Sequence, residues 1–178
     1  MYKAGVNVSL KKFGVGGKFV CDKGRTELDL ENGVYPEYLI SRISPDGILR
    51  LAGQIDLLVK QGNEITIIDY KTNKKIDKNS FFDSKTKKTV KMKYPLNKIE
   101  DCNFWHYTLQ LSTYAWMIQK LNPNFIIKDL IMVHYDHDNK QTVYHLDYLK
   151  YEVELMLKHY KKEILHNKQL SKYKKIEY

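Results

Sequence analysis

Residues 53–72 read GQIDLLVKQGNEITIIDYKT, two branched apolar stretches that meet at Gly62-Asn63. A two-residue loop of this kind is a tight hairpin signal, because glycine and asparagine accept the positive φ such turns require. The loop also sets a register. Gln61 opposes Glu64, which carries Asp56 opposite Asp69 and Gln54 opposite Lys71. Strand alternation then gathers these four on one face, with Ile55, Leu57, Ile68 and Tyr70 on the other. A slip of one residue would undo that facing.

Carboxylates directly opposed in a sheet repel. They also raise one another's pKa unless a cation neutralises them. A divalent ion does so, and Mg²⁺ prefers carboxylate oxygens. Lys71 shares the face of Asp69, where it could orient or help deprotonate a water or stabilise developing phosphate charge. An ion and a lysine together are the equipment of metal-assisted phosphodiester hydrolysis. An isolated Asp-x-Lys is more commonly a salt bridge on a solvated face; the facing Asp56 brings the two readings level.

The rest of the chain supplies context. "YPEYLISRI" (35–43) is expected as a strand, "SPDG" (44–47) as a turn, and 48–60 and 64–72 as the hairpin strands. Residues 1–34 are glycine-rich and read as loops and short strands. Residues 73–100 form a basic loop or protruding hairpin ending at Pro95. From Lys71 to Lys93 there are nine lysines against two aspartates, interrupted by Phe81, Phe82, Val90, and Met92. Residues 101–121 are expected to be a helix capped by Asp101 or Asn103. Its apolar stripes (Phe104, Tyr107, Leu111, Ala115, Ile118; Trp105, Leu109, Trp116) call for packing on two sides. Residues 125–138 and 141–148 read as a strand pair across Asn139-Lys140. A last helix runs from about Asp147 to Leu165, and the basic tail beyond it is expected to fray.

These elements carry a likeness. "AGQIDLL" followed by "IIDYKT" resembles the G-x-x-D and D-x-K-T signatures of the PD-(D/E)XK nuclease superfamily. "QLSTY" resembles the Q-x-x-x-Y motif of its RecB-like branch, and the likeness spans about residues 35–165. It implies an α/β domain with a central mixed β-sheet flanked by helices, a restriction-endonuclease-like core. It implies Mg²⁺- or Mn²⁺-dependent cleavage of DNA. Asp56 and Asp69 would be metal ligands, joined by the backbone carbonyl of Tyr70, and Lys71 the catalytic lysine. Gln110 and Tyr114 would approach the active site and the DNA from the helix, and their i, i+4 spacing puts them on one helix face. His106 extends that line.

The opening departs from the family pattern, in which a helix before the sheet carries a His or Glu that completes the metal site. Glu27 and Glu37 are the nearest acids here. A partner in a larger complex could supply the missing helix. A catalytically inactive DNA-binding or assembly module that keeps the fold is the alternative.

Composition narrows the field further. The 178 residues suit one domain, 1–178, and the net charge of +9 suits a polyanionic partner such as DNA, or simply a lysine-rich surface. Cys21 and Cys102 are too few for a four-cysteine zinc or iron–sulfur site. No apolar run is long enough to span a bilayer and the first residues lack a secretory pattern, so an intracellular, possibly phage-encoded protein is expected. "HYDHD" (His134, Asp136, His137, Asp138) reads as a solvated strand end. "GVGG" (14–17) lacks the lysine and serine or threonine of a phosphate loop.

Overall fold

The structure is a computed structural model that describes residues 28, 30–85 and 87–173, with side chains to 169. Five strands make one sheet: β1 (Gly33–Ile43), β2 (Arg50–Gln61), β3 (Glu64–Lys71), β6 (Ile126–Tyr135) and β7 (Gln141–His145), in that spatial order. A small hairpin, β4 (Phe82–Asp83) and β5 (Lys88–Thr89), stands in the connection from β3 to the helix α1 (Asn103–Leu121). A second helix, α2 (Lys150–Tyr173), closes the chain.

Turn chemistry explains the antiparallel neighbours. After β1, Ser44 Oγ donates to Asp46 Oδ1 at 2.6 Å and Gly47 takes φ 68°, which reverses the chain within "SPDG". Between β2 and β3, Gly62 takes φ 59° and its N–H donates to Asn32 Oδ1 at 2.8 Å. β3 pairs with β6 in parallel, so the chain must cross over; the basic segment and α1 make that connection. Asn139, at φ 58°, turns β6 into β7.

The core lies between sheet and helices. Ile65 and Ile67 of β3, Leu130 and Met132 of β6, Leu111, Ala115 and Ile118 of α1, and Val153 of α2 are all essentially inaccessible. Leu109 and Trp116 are buried as well, so α1 is packed on both of its apolar sides.

Four local expectations are corrected. Neither Asp101 nor Asn103 caps α1: the N-cap residue is Cys102, without a side-chain cap, because Asp101 binds His106 and Asn103 binds the backbone at Lys75 and Asp77. The last helix begins at Lys150 rather than Asp147. Buried Ser112 accepts from the Leu149 N–H at 3.0 Å and donates to the Asp147 carbonyl at 3.4 Å, holding 147–149 outside the helix. That helix runs past Leu165 to Tyr173, so most of the basic tail expected to fray is helical.

The fourth correction concerns alternation. Tyr35 and Tyr38 are three apart, yet both are buried and their rings meet edge to face at 5.9 Å. Their partners Leu58 and Ile55 are also both buried. The break falls at Glu37, whose φ of 52° is left-handed, and at the facing Asp56–Leu57 step of β2. A strict two-face reading of β2 therefore fails where the acids begin.

Candidate active site

The hairpin register is the expected one from Gln61↔Glu64 to Leu57↔Ile68, and there the ladder between β2 and β3 stops. Neither Asp56 opposite Asp69 nor Gln54 opposite Lys71 continues it as a backbone pair. Instead the Asp56 side chain bridges the strands: its Oδ2 accepts the Tyr70 N–H at 2.8 Å. Gln54 pairs along β1 with Leu39, and its amide donates to Glu37.

Asp69 follows Ile65 and Ile67 on the buried face of β3 and is 2% exposed. Lys71 Nζ lies 2.5 Å from Asp69 Oδ2. The contact is one of charge, since Oδ2 is buried without a hydrogen bond of good geometry. Burial is the largest influence on Asp69 and pushes its carboxyl above the usual range; the Lys71 ammonium opposes this, and the charge of Asp56 adds to it. The two carboxylates thus feel one another across the end of the ladder.

Lys71 rests on a scaffold. Its Nζ sits 4.6 Å from the centre of the Tyr107 ring on α1, a cation–π contact. The Tyr107 hydroxyl donates to Asn73 Oδ1 at 2.8 Å. His134, the β6 neighbour of Lys71, brings Nε2 to 2.6 Å from the Asn73 carbonyl and is 5% exposed. The expected solvated strand end is thus corrected for His134: as a strand residue beside β3 it is covered. Only Asp136, His137 and Asp138 form the turn. Asp136 Oδ1 accepts the N–H groups of Asp138 and Lys140, both at 2.9 Å, which accounts for the clustering of these three side chains.

Gln110 Nε2 donates to the Tyr114 hydroxyl at 3.0 Å, so the pair share one face of α1. Tyr114 in turn packs on Gly53: a Cβ at residue 53 would lie 2.4 Å from Tyr114 Cε1. His106 pairs with Asp101 at 2.6 Å, away from the acids. Tyr107 and Asn73 were not recognisable in the sequence. The one available signal was that Tyr107 lies a single helical turn before Gln110.

The donor set suits a hard divalent ion. It offers a buried carboxylate oxygen whose close neighbour is the Lys71 ammonium, and a second carboxylate close enough to repel it. Among the described residues no third His, Cys, Asp or Glu clusters with Asp56 and Asp69, and Glu37 is engaged by Gln54. Glu27 lies outside the described residues.

A mixed sheet with two helices, the acids on adjoining strands just past the point where their ladder stops, defines an α/β restriction-endonuclease-like core. The PD-(D/E)XK nuclease superfamily model matches residues 15–172, and the chain belongs to that superfamily. The solved structure of SSO0001 is similar at 18% identity and a TM-score of 0.37, over 64% of this chain and 41% of that one. This chain thus spans about two fifths of that structure's length. No curated protein matches. Among the described residues no helix is long and apolar enough to cross a membrane.

Proposed function

We propose that the protein is a divalent-metal-dependent deoxyribonuclease of the RecB-like branch, cutting DNA phosphodiesters inside the cell in repair, recombination or phage genome processing. The observation that carries the reading is the buried Asp69 carboxylate set between the Lys71 ammonium and the charge of Asp56. Asp56, Asp69 and the Tyr70 carbonyl would hold Mg²⁺ or Mn²⁺. When bound, the ion supplies Lewis-acid polarisation of the phosphodiester and a lowered pKa for water.

The chain's own groups do the rest. The Tyr70 N–H fixes the Asp56 carboxylate in place. Lys71, steadied by Tyr107, would present a cation to the phosphate oxygens as negative charge builds on them. Asp69, shut away from water, depends on a nearby cation to offset the cost of its charge. Gln110 and Tyr114 would guide the DNA from α1, and the lysines of 71–93 would neutralise its backbone. Linear and circular DNA incubated with Mg²⁺ or Mn²⁺ tests this. Cleavage by the native chain that disappears in Lys71→Ala supports it; cleavage unaffected by that change refutes it.

A second reading rests on the lack of a third acid beside Asp56 and Asp69 among the described residues. It is a non-catalytic DNA-binding or assembly module. Salt-sensitive DNA binding without any cleavage, unaltered by Asp69→Ala, would favour it.

A further inference from the structure

A groove of about 740 Å³ opens between α1, α2 and the segment following β5. That size lies within the roughly 300–1,000 Å³ typical of small-ligand sites. Its floor is apolar, with Leu109 from α1 and Leu157 from α2 both buried. Its rim is aromatic and wet: Tyr94 is 70% exposed and Tyr160 is 49% exposed. Tyr94 stands edge-on to His159, with ring centroids 5.0 Å apart, so it is propped from one side.

Position and charge indicate what would enter. Gln110 lines the groove, one helical turn from Tyr107, the residue that carries Lys71. Lys93 stands at its edge, at the end of the lysine-rich stretch. The acids in the wall, Asp101 and Glu163, lie 2.6 and 3.5 Å from the rings of His106 and His159, which draws both carboxylates toward those rings, while Lys93 brings the fixed positive charge of the lysine-rich stretch to the opening. An apolar slot with exposed aromatic faces and a basic approach is what unstacked bases of single-stranded nucleic acid require. Paired bases in a duplex keep their faces covered and cannot use it.

We propose that this groove takes unstacked bases of a single-stranded DNA segment or end, stacking them against Tyr94 and Tyr160 while the adjoining phosphate lies toward Lys71. The proposal deepens the nuclease reading by naming single-stranded DNA as the form the site engages.

The test is binding without metal. A short single strand carrying 2-aminopurine is titrated with the full chain in EDTA, and quenching of the fluorescent base reports stacking. Tyr94→Ala and Tyr160→Ala are expected to weaken binding roughly five- to a hundredfold each, the range for losing one base stack. Tyr151→Ala, equally exposed on α2 but outside the groove, should bind like the native chain. Equal affinity in all four proteins overturns the proposal, as does equal binding of a blunt duplex. Uptake of an apolar dye without any of the oligonucleotide points to a protein or apolar partner and also overturns it. Cleavage is scored separately. Quenching without cleavage sinks the nuclease reading and leaves the groove standing; cleavage with native quenching in Tyr160→Ala does the reverse.

Discussion

Gly53 of β2 lies against the ring of Tyr114 of α1 so closely that any side chain at residue 53 would collide with it, a Cβ falling 2.4 Å from Cε1. The glycine of one sequence signature and the tyrosine of another are thus two halves of one packing contact. That contact holds α1 against the strand that bears Asp56.

The first prediction follows directly. Gly53→Ala should destabilise the protein by about 1–3 kcal/mol through overpacking. Tyr114→Leu, which removes the colliding ring, should restore part of that loss when combined with it. Urea denaturation of the four members of the double-mutant cycle measures the coupling; additive losses would refute the contact.

Tyr107 gives a second. Tyr107→Phe keeps the ring beneath Lys71 and loses only the hydrogen bond to Asn73. Tyr107→Leu loses the cation–π contact, worth about 0.5–2 kcal/mol. Cleavage should stay near native in the phenylalanine variant and fall roughly two- to thirtyfold in kcat in the leucine variant. An equal fall in both would mean that Tyr107 acts through Asn73 rather than through Lys71.

Metal should stabilise the fold. An ion that binds the native site alone raises stability by about 2.7 kcal/mol at a hundred times its Kd. Mn²⁺ is therefore expected to raise the Tm of the native chain and to leave Asp69→Ala unmoved. Calorimetry on both checks this, and an identical rise in the two proteins would place the ion elsewhere.

A fourth prediction lies far from the acids. Asp46 takes hydrogen bonds from Lys161, Ser44 and the Ile48 N–H, which together lower its pKa from 3.8 to about 2. A carboxylate held below its unfolded pKa stabilises the fold above that unfolded value. The contribution fades as pH falls through the folded value. Asp46→Asn should therefore be less stable than the native chain at neutral pH, with the gap closing between pH 3.8 and about 2. The surface position keeps the effect small. Melting curves across that range test the sign.

His134 gives a fifth. Its covered ring meets the carbonyl of the exposed Asn73, so His134→Leu should cost about 0.5–1.5 kcal/mol through loss of that hydrogen bond. Denaturant unfolding measures the loss. Asn73 also receives the Tyr107 hydroxyl, so the same change should loosen the support beneath Lys71.

Local chemistry made much of this readable beforehand. The Gly62-Asn63 turn fixes the hairpin register because a two-residue loop leaves the strands no slack. Apolar periodicity marks α1 as doubly packed, and the spacing of Gln110 and Tyr114 places them on one face because a helix repeats every 3.6 residues. The family signatures are legible for the same reason: each lies within a single element.

The tertiary structure decided what depends on neighbours distant in sequence. The left-handed backbone at Glu37 breaks the alternation that a strand pattern assumes, and the ladder ends so that Asp56 can reach across to the Tyr70 amide. His134 is buried because β6 lies parallel to β3, a pairing made only after the chain has crossed over through α1. Residues 53–72 by themselves fixed which acids and which lysine come near one another, since strand geometry is local. Only long-range packing decided how far Asp69 is shut away from water and that Tyr107 lies beneath Lys71, because desolvation is a property of everything that covers a group.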